Sequence, residues 1–267
     1  MAEIINSLWI GRPLSLLEQL AITSFLQNGH EYHLYCYDEI ANVPHGTILR
    51  NAAEILPASE IFCYRRGQGK GSVSAFANLF HFKFLLERGG WWVDADTVCL
   101  RRFDFVEPVV IASERTLTGT QQATNAVIKF PPGHAAIRQC YEAASREDRA
   151  RLVWGKTGPL LIDRVVRENG LQQFIKPPEV FCPLDFWDWK RLLTENANPP
   201  EQPFTNESHA IHLWHEMWRR AGIKLDPKTG EPRPPFFDAL LQRLGLKPKP
   251  ARNGSTPFAE LLRRYGL

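Results

Sequence analysis

Residues 89–100 read GGWWVDADTVCL. Two glycines stop whatever precedes them. Three bulky apolar side chains then predict a strand, and two acids one residue apart close it. A fully buried strand does not carry carboxylates unless they are paired, protonated or bound to a cation. On an extended chain Asp94 and Asp96 point to the same side, roughly 6–7 Å apart. A divalent cation can bridge that gap, and oxygen donors suit magnesium or manganese. D-x-D is also a common solvated strand end, so its surroundings must decide.

Upstream, SVSAFANLFHFKFLLER (72–88) reads as a long apolar helix. Ser74, Asn78 and His81 fall at i, i+4 and i+7 and share one face, while Phe76, Leu79, Phe80, Phe82, Phe84, Leu85 and Leu86 fill the others. This polar stripe is either a wall of the acid-pair site or a set of satisfied buried hydrogen bonds. Further back, Ile4–Ile10 reads as a strand, 14–28 as a helix ended by Gly29, and Glu31–Tyr37 as a strand, with a strand-like piece and short helix over 47–64. Downstream, 108–113 and 124–130 read as strands, 134–145 as a helix, and Gly158-Pro159 as the start of another helix reaching Glu168. This alternation predicts an α/β sandwich with ligands at strand ends. Prolines break up 196–206 and 226–250, and the tail is read as a wrapping arm, a mobile segment or a small helical addition.

The 267 residues are 44% apolar, enough for one large domain. Thirty-two Lys and Arg against 29 Asp and Glu leave a formal charge of +3, with no basic stripe, so a nucleic-acid partner is not expected. Five cysteines lie widely spaced with no C-x-x-C, which argues against a disulfide framework or a zinc cluster. A reduced, cytoplasmic compartment is expected. The opening MAEIINSLWIGRP has no signal-peptide pattern and no apolar run reaches a membrane span, leaving peripheral membrane contact open.

The segment SAFANLFHFKFLLERGGWWVDAD (74–96) resembles the DXD region of glycosyltransferases, the group that includes retaining yeast-mannosyltransferase-like and clostridial-toxin-like enzymes. Asn78 matches the Asp or Asn of that helix, and Asp94 and Asp96 match the two DXD acids. His81 stands where the family has Arg, and Trp92 where it has Tyr. NSLWIG (6–11), TNAVIKFPPGH (124–134), Gly158-Pro159 and HAIHLWHEMW (209–218) are further islands, with His212 and Trp218 at the family's C-terminal His and Trp.

The resemblance implies a GT-A fold with a mixed central sheet and helical additions. The catalytic domain is expected over 1–222 (nucleotide-sugar core about 1–115, acceptor side about 116–222), with a proline-rich extension over 223–267. It implies a metal-dependent retaining hexosyltransferase using Mn2+ or Mg2+ and a nucleotide sugar, UDP-linked by family frequency, with a glycan or lipid-linked acceptor. Asp94, Asp96 and His212 become the catalytic and metal-binding group. Trp9, Asn78, His81 and Asp94 become donor contacts, with Lys70 in GQGKGS as a phosphate candidate or plain surface lysine. Asn125, Asp185, Trp187 and Trp218 become acceptor candidates; the acid and tryptophans also read as loop and core residues. Two alternatives stand beside this: a haloacid-dehalogenase-like phosphatase, whose D-x-D-x-T/V string VDADTV satisfies, and an inactive glycan-binding or scaffold protein on the same fold.

Overall fold

The computed structural model describes residues 3–11, 13–193, 204–223 and 256–267. Most of the 223–267 extension, residues 224–255, therefore lies outside the described residues.

Eight strands follow the chain: β1 (Ile4–Trp9), β2 (Glu31–Cys36), β3 (Ile48–Asn51), β4 (Gly90–Val93), β5 (Thr97–Cys99), β6 (Val110–Arg115), β7 (Gln121–Phe130) and β8 (Ala210–His212). Six build one sheet in the order β3-β2-β1-β4-β7-β6. β3, β2, β1 and β4 run parallel, whereas β7 is antiparallel to both β4 and β6. The mixed central sheet expected from the sequence is what the chain forms. β5 and β8 make a separate antiparallel ribbon.

The pleat sorts the apolar run of β4 to two faces. Trp92 packs with Phe76, Phe80 and Phe84 of α2 (Ser74–Glu87), beside α3 (Ala135–Ser145) and α4 (Pro159–Glu168). Trp91 and Val93 pack on the other face with Ile22 and Phe25 of α1 (Leu16–Gln27) and Phe181 of α5 (Pro178–Phe181). Helices on both faces explain why this strand is apolar throughout. A third cluster joins α1, the β5–β8 ribbon, Trp218 of α6 (His215–Ala221) and Phe258, Leu261 and Leu262 of the helix Pro257–Arg264. That last helix is held to the body where Gln27 Nε2 donates to the Tyr265 carbonyl at 2.9 Å and Arg264 Nη2 donates to the Leu100 carbonyl at 2.9 Å.

The first of the two glycines has a steric cause, while the second stands at φ +86° in open space. A Cβ on Gly89, which sits at φ +66°, would lie 2.5 Å from both the ring and the nitrogen of Pro132. Only glycine admits the turn from α2 into β4 so close to the β7–α3 loop.

Candidate active site

The acids do not sit on a strand. β4 ends at Val93, and Asp94–Asp96 form a turn closed by the Thr97 N–H on the Asp94 carbonyl at 3.0 Å. The chain leaves the main sheet here and enters the ribbon, so the turn lies at the carboxyl end of a parallel strand, where ligands bind in open α/β sheets. The Asp94 N–H still reaches the Ala126 carbonyl of β7 at 2.8 Å, which fixes the turn's position.

The ribbon brings in the third member. β5 pairs with β8 so that Thr97 faces His212. One ligand atom each from Asp94, Asp96 and His212 lie within 4.8 Å of one another. His212 Nε2 is 3.1 Å from Asp96 Oδ1, and the His215 N–H donates to Asp96 Oδ2 at 2.7 Å. Trp92 Nε1 donates to Asp94 Oδ1 at 3.1 Å, so the aromatic that replaces the family's Tyr still offers a polar tip. Two hard oxygens and an imidazole within one ion's reach are a donor set that fits Mn2+ or Mg2+.

The electrostatics separate the acids. Burial, then the Asp96 charge, pushes Asp94 up to about 7. Burial alone would raise Asp96 as well, but His212 and the His215 N–H outweigh it and hold Asp96 well below the usual carboxylate range. Burial opposes charge on His212, yet the Asp96 charge and hydrogen bond raise its pKa well above that of free imidazole. The apo cluster thus stores one firm ion pair, Asp96 with His212, beside a carboxyl that ionises only near neutrality. A cation would favour the ionised form of both acids.

A polar wall stands beside this floor. Asn125 Nδ2 donates to Asn78 Oδ1 at 2.8 Å, and Asn78 Nδ2 reaches Thr157 Oγ1 at 3.5 Å. A Cβ on Gly158 would lie 2.9 Å from Asn78 Nδ2 and 3.1 Å from Asn125 Oδ1, so the G-P turn that opens α4 is packed directly on this wall. Beyond it, the Trp154 ring lies tilted against Tyr64 at 5.3 Å and under the Arg220 guanidinium at 4.2 Å. Lys70 is exposed in the loop over Trp154, and its carbonyl accepts from Arg219 Nη2 at 3.3 Å.

Other candidates fall in different places. Trp9 stacks on His215 with ring centres 6.0 Å apart. Asp185 is paired with Arg115 at 3.0 Å, and half-buried Trp187 packs on Phe186. His81 and Trp218 lie in the core. His81 is 1% exposed and stacked against Trp92 at 4.9 Å, burial pushes its pKa down to about 3, and its Nε2 is buried without a hydrogen-bond partner. Trp218 is also 1% exposed, with Nε1 donating to the Leu213 carbonyl at 2.7 Å and its ring packed against Trp189 and Phe258.

The structure adds residues that the sequence did not single out. Burial pushes Glu114 of β6 up to about 7; His212 and a hydrogen bond with Thr124 counter the shift, and Asp185 adds to it. Trp214 is the sole non-glycine residue at positive φ among the described residues (58°). Its ring lies 4.0 Å from His212, and its Nε1 donates to the Leu184 carbonyl at 2.8 Å. A bulky residue held left-handed between His212 and His215 stores backbone strain in this turn.

With the geometry established, the kinship can be read. Residues 129–230 match the family described as "Alpha 1,4-glycosyltransferase conserved region". The chain is similar to glycosyltransferases. Lactosylceramide 4-alpha-galactosyltransferase of Pongo pygmaeus is 25% identical over 142 residues, 48% of this chain and 61% of its own length. The Mus musculus protein of that name is 24% identical over 154 residues, 53% of this chain and 41% of its own. The chain's match thus spans less than two thirds of these relatives. Among solved structures, PaToxG Glycosyltransferase aligns with a TM-score of 0.47 at 12% identity, over 63% of this chain and 69% of its own. All five cysteines are unpaired, and no helix among the described residues is long and apolar enough to cross a membrane.

Proposed function

We propose that this protein is a metal-dependent, retaining glycosyltransferase that moves a hexose from a nucleoside-diphosphate sugar, a UDP-sugar, to a hydroxyl of a glycan or lipid-linked acceptor. The observation that carries the reading is the convergence of Asp94, Asp96 and His212 within 4.8 Å. The relatives' name, a galactosyl transfer to lactosylceramide, supports the hexose and the acceptor class.

Asp96 and His212, with Asp94, would hold the ion. A divalent cation there supplies positive charge against the leaving diphosphate. The chain's own residues do the rest. The His215 N–H fixes Asp96 Oδ2, so the carboxylate is oriented before any donor arrives, and His212, beside Oδ1, would give up its hydrogen bond and proton to hold the ion. The Trp92 N–H fixes one oxygen of Asp94 and leaves the other for the sugar or ribose. The wall of Asn78, Asn125 and Thr157 offers amide and hydroxyl groups to sugar hydroxyls, and Trp9 offers an aromatic face to the base. The acceptor hydroxyl attacks on the face the diphosphate leaves, and the departing phosphate takes its proton; no enzyme carboxylate need bond to the sugar. The acid pair follows the fourth strand in chain order, whereas a dehalogenase-type phosphatase opens its domain on it.

The test is calorimetry with UDP-glucose, UDP-galactose, UDP-N-acetylglucosamine, GDP-mannose and UDP, each with manganese and with EDTA. One nucleotide sugar should bind only with metal. Asp96→Ala should stay folded, lose turnover by at least about 100-fold, and lose the rise in melting temperature that manganese gives the parent. Manganese-stimulated turnover at the parental rate in Asp96→Ala would refute the metal role.

A further inference from the structure

Glu18 is 0% exposed, a carboxylate buried in the first turn of α1 and far in sequence from the acid pair. One oxygen, Oε2, accepts the Ser15 N–H at 2.8 Å and completes the capping box of that helix. The other, Oε1, lies 2.7 Å from Nδ1 of His215. A capping box needs only the first of these contacts, and it works as well at a solvated helix end. Burying the acid entirely against an imidazole is a cost that capping does not explain.

His215 is the residue whose backbone N–H holds Asp96 Oδ2. Its ring is flanked by Glu18, whose Oε1 lies within ion-pair distance of Nδ1 with no hydrogen bond of good angle to any group, and by the stacked indole of Trp9. It also follows the left-handed Trp214, a conformation that relaxes unless its neighbours hold it. Glu18 thereby ties the start of α1 to the turn that orients the acid pair.

We infer that Glu18 is a positioning residue for the metal site: through His215 it locks the Leu213–His215 turn and so presents Asp96 in one orientation. This rests on the metal-site reading above. Outer-sphere partners of metal ligands typically carry about 10–100-fold in metal affinity, and Glu18 acts one bond further out, so the lower end is expected.

The experiment is a manganese titration by calorimetry on the full chain, beside a thermal melt of the metal-free protein. Four proteins are compared: the parent, Glu18→Gln, His215→Ala and Ser15→Ala. Glu18→Gln and His215→Ala should each weaken manganese binding about tenfold. Ser15→Ala removes the cap but leaves the His215 contact; it should lower the melting temperature by a few degrees and keep parental manganese affinity. His215→Ala retains the backbone N–H and a partly exposed position, so it answers the question even if Glu18→Gln fails to fold. Parental affinity in folded Glu18→Gln or in His215→Ala overturns the inference while leaving the metal site standing. Equal weakening by Ser15→Ala also overturns it, since helix stability alone would then explain the effect. A parent that binds no manganese overturns the metal-site reading and this inference with it.

Discussion

Gly158→Ala tests whether the polar wall is as tightly built as its distances say. The added Cβ would come to 2.9 Å from Asn78 Nδ2 and 3.1 Å from Asn125 Oδ1, about half an ångström inside ordinary contact. Neither amide is free to swing away. Each is bound to the other at 2.8 Å, and Asn78 also reaches Thr157. Asn125 is buried, so an amide that withdraws loses its partner out of reach of water. Leaving such a group unsatisfied costs about 1–3 kcal/mol, and overpacking costs a similar amount where the backbone yields instead. A loss of about 2 kcal/mol is expected, which for a chain of this size is about 4–8 °C in melting temperature. Urea unfolding measures it directly. The mechanism also fixes the outcome of a double variant. Asn78→Ala removes the atom the new methyl strikes, so Gly158→Ala should cost less in that background, with a coupling of about 1 kcal/mol. Parental stability in Gly158→Ala, or strictly additive losses in the double variant, would show that the wall is looser than described.

The remaining predictions concern charge and core. Burial raises Glu114 to about 7 from an ordinary value of about 4.3. The folded state therefore binds its proton more tightly than the unfolded chain, and this contribution to stability is lost as pH rises from about 4 to about 7. Glu114→Gln should match the metal-free parent near pH 4 and exceed it by roughly 3–4 kcal/mol at pH 8; parallel stability curves across that range would contradict the assignment. Trp218→Ala should cost about 3–5 kcal/mol in urea unfolding, because the indole is fully buried and its N–H holds the Leu213 carbonyl. His81→Gln introduces a longer amide beside Trp92 and should act on stability with no change in donor affinity, read by calorimetry.

Much of this was legible along the chain because it is local. The polar–apolar rhythm of 74–87 is a helix, Gly89 sits in a turn that no side chain could enter, and the tryptophans sort to opposite faces by the period of a strand. The resemblance of 74–96, with that of the separate island 209–218, then joined Asp94 and Asp96 to His212. What stayed hidden depends on pairing across long separations. The acids were expected on a strand, yet the chain changes sheets between Val93 and Thr97, and nothing nearby in sequence reports which strand comes to meet it. His81 looked like a wall residue because it shares a stripe with Asn78, but the helix is covered almost all round, and a residue one turn on passes beneath Trp92. Glu18 reads as the N3 acid of a capping box and gives no sign of its second contact. Glu114 stands in a strand of ordinary composition, and only the fold sets it within the field of His212.

The short ribbon of β5 and β8 has a consequence for how the protein matures. It joins partners 116 residues apart in the chain, His212 to Asp96, while the six-strand sheet needs nothing beyond Phe130. Contacts of such span close after local ones in folding. A nascent chain could complete its large sheet and most of its helices and still hold Asp94 and Asp96 apart from His212. The three would meet in one late step, when three residues near position 210 zip onto three that follow the acid pair. A molecule stalled before that step would pass for native by its secondary structure and lack the assembled cluster.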